Sequence, residues 1–457
     1  MRIGAASGAG LCLALFLAAF VTTAFAHAGE GGFVLLLPTG YYRVGGTLAV
    51  AASVALVAFA PDQFIARLTD VRIRFCRMPT LSPMPLSIAS LIILALLVWQ
   101  GVRGTQDPLQ NPLPLTVWTL WWIGFTLVTA LLGNTWQFIN PWTGPYRLMR
   151  PSRKALFAYP DWLGHWPAVA LFFAFAWFEL VDVAPDNPER LAVTVSVYWL
   201  AMLAGMLLFG EEAWLGNAEP FSLFFRLISL LSPLRCEGNG RSCRLSLALP
   251  GAALVKAEPL PVSGIFFMLL TLAAVSFDGL SKTFLWLDLG GINPLEFPGR
   301  SAVIGQNTFG LLLVWAVLAS AYTSALWLGW MLGGRLSHPD RLSGSLVLSL
   351  VPIALAYHFA HYLTALLVNG QYGIAALLPI DLTVSMSLLT TYEGARLVWN
   401  LQAAAIVMGH ILAVIWAHAI VLDRCGDRAR RAEFPIASAM VMYTLFGLWL
   451  LSTPSAG

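Results

Sequence analysis

The chain has 457 residues, 58% hydrophobic and only 11% charged, with a formal net charge of +3. A soluble globular chain carries about 25% charged residues, so this composition excludes a fully wetted surface and puts lipid where water would be. The basic residues lie in short loops without a long stripe, which excludes nucleic acid as a partner.

Residues 1–26 read as a secretory signal: Arg2, an apolar stretch from Leu11 to Val21, then Ala24-Phe25-Ala26, a small-x-small cleavage site. Cut there, the chain would begin at His27; uncut, the segment would be a first helix. Apolar stretches long enough to span the hydrocarbon core follow at roughly 43–61, 85–103, 113–133, 166–184, 191–210, 262–280, 303–333, 344–368, 396–422 and 434–452. The stretch from Pro220 to Leu234 is apolar but short and broken by Pro, as an interfacial or re-entrant segment would be. No stretch between spans is long enough to fold alone. Residues 27–457 are therefore expected to form a single all-α domain, a polytopic transmembrane helix bundle of about ten spans.

Lys and Arg are biased toward cytoplasmic loops in membrane proteins. With the mature N-terminus outside, nineteen fall in cytoplasmic loops and six outside. The inner groups include Arg67, Arg72, Arg74 and Arg77; Arg147, Arg150, Arg153 and Lys154; and Arg424, Arg428, Arg430 and Arg431. Cys236 and Cys243 would then sit in a loop on the reducing side, where a plain loop is expected in preference to a stable disulfide or a metal pair.

Polar groups inside apolar spans are costly and mark candidate sites. His358 and His361, spaced i, i+3, share one helix face, and His410 lies near the middle of the following span. Run antiparallel, the two helices would put His358 and His410 within about 6 Å in depth, with Asp278 near the same level. Three imidazoles and a carboxylate suit a divalent transition metal such as zinc or copper, of open identity. His27, as a mature N-terminus on the same side, would add an amine and an imidazole. His418, two turns inward of His410, is expected to reach toward the cytoplasm. Three loop motifs, Asn140–Arg147, Gly210–Pro220 and Ile292–Arg300, carry turn chemistry and read as locks between loops and bundle.

The strings Glu212-Ala213-Trp214-Leu215-Gly216, Ser276-Phe277-Asp278-Gly279-Leu280-Ser281 and Ile292-Asn293-Pro294-Leu295-Glu296-Phe297-Pro298-Gly299-Arg300 resemble those of a family of bacterial integral membrane proteins known as fenitrothion hydrolases. Tyr357-His358-Phe359-Ala360-His361-Tyr362 and Ala405-Ile406-Val407-Met408-Gly409-His410 extend the resemblance over most of the chain. It implies a multi-pass inner-membrane hydrolase of an apolar phosphorothioate triester, cleaving the P–O-aryl bond near the periplasmic side. Joined to the residues above, it gives the expectation of a water activated by a metal on His358, His361 and His410, with Asp278 as ligand or base. The competing expectations are a metal-ion or small-molecule transporter, or a copper- or haem-bearing redox subunit. The partners expected are the lipid bilayer, an apolar substrate and, potentially, a second membrane subunit.

Overall fold

In lipid a backbone must satisfy its own N–H and C=O groups, and a long apolar run does so as a helix. The computed structural model describes residues 39–453 apart from 80–81, 151, 153–154, 239–241, 294–298, 335–338, 379–383, 386 and 426–428. The expected signal segment, His27, the centre of the third loop motif, and Arg153, Lys154 and Arg428 lie outside the described residues. Among those described, ten helices are long and apolar enough to cross a membrane. Each coincides with one expected stretch, shifted by a few residues at most ends.

In chain order, α1 (Thr39–Phe59) leads through the short amphipathic α2 (Asp62–Asp70) and strand β1 (Arg72–Pro79) to α3 (Pro83–Arg103). Then come α4 (Pro112–Leu132), α5 (Trp166–Leu180), α6 (Pro188–Phe209) and the short α7 (Glu211–Asn217) and α8 (Pro220–Ser229). Strands β2 (Leu234–Glu237) and β3 (Ser242–Ala248) precede the last spans, α9 (Val262–Ser281), α10 (Arg300–Leu332), α11 (Val351–Leu377), α12 (Tyr392–Cys425) and α13 (Ala429–Ser452). The bundle is organised around α9 and α11: 83% of the apolar window is buried in α9 and in the span containing α11, against 11% in α1 and 17% in α3. α11 packs on α12, α4 and α9, while α12 also packs on α13 and α1. Helices with low burial present their apolar side chains outward, as a lipid-facing wall does.

Between helices in lipid, close packing replaces the hydrophobic effect as the source of stability. Gly409 shows the fit. A Cβ there would run into the Ala356 side chain and the Pro352 carbonyl, so α12 lies on α11 only because the residue is Gly. We expect Gly409→Leu to force the two helices apart and destabilise the bundle by about 1–3 kcal/mol, read as a lowered thermal midpoint in detergent.

The stretch from Pro220 to Leu234, expected to be interfacial or re-entrant, opens with a short helix, Pro220–Ser229, most of whose residues are buried. Glu219 caps it, its carboxylate accepting hydrogen bonds from the Phe221 and Ser222 amides at 3.0 and 2.5 Å and from the Tyr198 hydroxyl. Burial pushes the Glu219 carboxyl above its ordinary pKa, and these donors offset only part of the rise. Two of the loop motifs are tied directly to one another. Arg147 donates to both carboxylate oxygens of Glu211, at 2.9 and 2.8 Å, and the Asn140 side chain accepts from the Thr143 amide at 3.0 Å.

One expectation is corrected. Cys236 and Cys243 form a disulfide, with Cα atoms 5.4 Å apart, where a plain loop was expected. β2 and β3 are antiparallel neighbours in a small sheet of order β1-β3-β2, and that pairing brings the two residues within disulfide reach.

α4 is wound in two ways. Leu115–Phe125 is a π-helix and the following turns are α-helical. The π segment carries Trp118, Trp121 and Trp122, whose rings meet those of α5 and α8.

Candidate functional site

Four elements converge near the C-terminal end of α9: α9 itself, α11, α5 and the π-wound part of α4. Asp278 sits in the last turn of α9 with its carboxylate buried. Its Oδ2 accepts a hydrogen bond from Nε2 of His361 at 2.6 Å, and its Oδ1 pairs with Nζ of Lys282, one turn on, at 2.8 Å. The Asp278 side chain is 7% exposed and that of His361 22%, so the pair is anchored inside and open on the imidazole side. With Nε2–H given to the carboxylate, Nδ1 of His361 is the free lone pair. It faces Gly279, where a Cβ would stand 4.0 Å from Nδ1. A residue without a side chain leaves this nitrogen room.

Tyr362 follows on the same helix and its ring lies against both imidazoles, with centroids 4.9 Å from His358 and 4.8 Å from His361. Its hydroxyl donates to Oε1 of Glu179 at 2.7 Å, which brings a second carboxylate from α5 up to α11. His358 turns the other way. It is buried, its Nε2 donates to the Trp122 carbonyl at 3.1 Å, and its ring stands edge-on to the Trp122 indole. Trp122, Glu179, Thr271, His358 and Tyr362 line a cavity of about 20 Å³, room for one water molecule.

Asp278 and His361, both sequence candidates, are thus brought together, and His358 lies one ring away across Tyr362. His410 does not join them. It is buried against Tyr357 and Tyr443, with ring centroids 6.0 Å from each, and its Nδ1 donates to the Ile406 carbonyl at 2.8 Å. The structure therefore does not gather the expected three histidines at one point. His358 and Tyr357 are neighbours in sequence and diverge by about 100° around a helix, and His410 meets the Tyr357 side. Among the described residues no group of three or more His, Cys, Asp or Glu is placed to hold a metal ion. His418, expected to reach toward the cytoplasm, is buried, and its Nδ1 donates to Oε2 of Glu433 at 2.6 Å.

Sequence reasoning missed Glu179, Lys282, Tyr362 and Glu433 as site residues. Glu179 and Glu433 each stand as an isolated acid within or beside an apolar run, a signal that the rule applied to the histidines would have caught. Tyr362 carries no such signal.

Comparison with known proteins finds no match to a family model, a curated protein or a solved structure.

Proposed function

We propose that this protein is a membrane-embedded hydrolase of apolar phosphoric triesters, with His361 as the general base that activates water. The observation that carries the reading is the Asp278–His361 hydrogen bond, with the carboxylate buried and the imidazole partly exposed. A buried carboxylate fixes the tautomer of its imidazole and stabilises the imidazolium that forms. Water beside Gly279 gives its proton to Nδ1 as its oxygen attacks phosphorus. The P–O-aryl bond breaks, the aryl oxide departs with the bonding pair, and the proton leaves His361 to solvent. Lys282 fixes the other carboxylate oxygen. The substrate class follows from the resemblance to fenitrothion hydrolases: a phosphorothioate triester with a nitrophenolate leaving group needs no strong general acid and partitions into lipid. The same reading puts the protein in a bacterial inner membrane, with its N-terminal side and this site toward the periplasm, in keeping with nineteen basic residues against six.

The test is release of yellow nitrophenolate from fenitrothion by protein purified in detergent. We expect turnover in the parent, and its loss in His361→Ala and in Gly279→Leu, which obstructs Nδ1 while leaving Asp278 and His361 in place. Turnover that survives both substitutions, or none in the folded parent, overturns the reading.

One further observation favours a second reading, a proton-linked transporter. The His418–Glu433 pair is a buried ionisable couple on α12 and α13 that the hydrolytic site does not use, and intramembrane pairs of this kind serve proton relays. Solute uptake into proteoliposomes that depends on a pH gradient and fails in Glu433→Gln would select it.

A further inference from the structure

The three-stranded sheet is amphipathic, and it lies beside two spans. Side chains alternate across a strand, so the observed register sorts the residues onto two faces. Arg74 is opposite Ser246 and Arg77 opposite Arg244, which places Arg74, Arg77 and Arg244 on one face with a single acidic position, Glu237, in register with Arg244. Ile73, opposite Leu247, belongs to the other face, together with Met78 and, by alternation from Arg74, Phe75. Along β1 that apolar face is uncovered: Ile73 is 57%, Phe75 59% and Met78 47% exposed. Arg74, Arg77 and Arg244 are exposed as well. β1 is exposed along its whole length, and an edge strand left open to water in this way would be an aggregation hazard, so something other than water covers it.

The chain path says what. α1 ends at Phe59 and α3 begins at Pro83, so α2 and β1 are strung between two spans. From Pro79 to Pro83 the chain can reach at most about 14 Å, which holds the sheet to the level where α3 enters the bilayer. α2, which leads into β1, exposes Phe64 as well. An apolar face at the acyl boundary brings the guanidinium groups of the opposite face to headgroup depth, and guanidinium is matched to phosphate by its paired N–H donors. Long basic side chains also extend toward the headgroup layer while their stems stay in apolar surroundings.

We propose that this sheet is a lipid-binding platform: its Ile73–Phe75–Met78 face is immersed at the bilayer interface, and Arg74, Arg77 and Arg244 bind the phosphates of anionic lipids. The inference rests on the membrane bundle and not on the hydrolase reading, since no ester enters its test. A fluorescent dansyl amino acid is placed by stop-codon suppression at position 73 or at position 74, with the cystine untouched. The protein is reconstituted in vesicles of phosphatidylethanolamine and phosphatidylglycerol. Shallow lipid-borne nitroxide should quench the probe at 73 severalfold more than the probe at 74, and aqueous iodide should show the reverse order. The combined substitution of Arg74, Arg77 and Arg244 by Gln should lower severalfold the number of phosphatidylglycerol molecules that remain bound on extraction into mild detergent, without changing the thermal midpoint of the bundle. Iodide quenching of both probes alike would overturn the proposal. So would a probe at 73 shielded from iodide and from lipid nitroxide together, the result expected if a protein partner or a second copy covers the face.

Discussion

Under the hydrolase proposal, Asp278→Asn is expected to cut ester turnover by about 10³–10⁴-fold while leaving the helix bundle folded. The reason lies in what the two neighbours of the carboxylate can accept. Lys282 and the Nε2–H of His361 are both donors, and a carboxylate serves them with one oxygen each. A carboxamide has one oxygen and one amino group. The ammonium of Lys282 cannot accept a hydrogen bond, so the amide oxygen turns to it and the amino group meets His361. The imidazole must then present Nε2 as the acceptor and carry its proton on Nδ1, the nitrogen that water needs as a base. The expected loss corresponds to about 4–5.5 kcal/mol of transition-state stabilisation and falls on kcat, with KM little changed. Nitrophenolate release at saturating substrate measures it. Retention of turnover within tenfold of the parent would show that this imidazole is not the base.

The largest effect on stability is expected at Trp122. Its indole meets Phe175 at 4.8 Å, Phe224 at 5.2 Å and Phe172 at 6.2 Å between ring centroids, besides His358. Truncating a buried Trp to Ala in a soluble core costs about 3–5 kcal/mol, part of it transfer from water and part the cavity left behind. Inside a bilayer the transfer part shrinks, because lipid is as apolar as the protein interior. The lost packing contacts remain. Trp122→Ala is therefore expected at about 3 kcal/mol, seen as a fall of several degrees in the thermal midpoint in detergent. Trp327, exposed on the outer side of α10, is the control: its replacement by Ala should shift the midpoint hardly at all. Equal shifts at the two positions would show that the aromatic cluster is not the packing centre.

The spans were legible in the sequence because hydropathy reports the solvent of each segment directly, and lipid leaves the backbone little choice but helix. The pair Asp278 and His361 was legible for a related reason, since a polar group is conspicuous in an apolar run. Their grouping with His410 was not. Depth along an antiparallel pair follows from rise per residue, but which side of α11 faces α12 depends on packing at Gly409 and Pro352, and no periodicity encodes it. The Tyr362–Glu179 contact joins residues 183 positions apart, and a tyrosine in an apolar helix looks like any other core aromatic. The disulfide depended on a hairpin too short to register against the surrounding apolar signal.

The wide winding of α4 has a mechanical corollary. A helix bonded i to i+5 holds surplus chain, and rebonding some of it i to i+4 lets everything beyond screw about the axis while its amides stay satisfied. The Trp122 carbonyl lies inside that elastic stretch and accepts from both Thr126 Oγ1 and His358 Nε2. Tightening the coil would swing this oxygen away from the imidazole and draw the indole off its aromatic neighbours. The pitch of α4 and the posture of His358 are thus tied through one carbonyl oxygen, on a residue that also lines the small cavity.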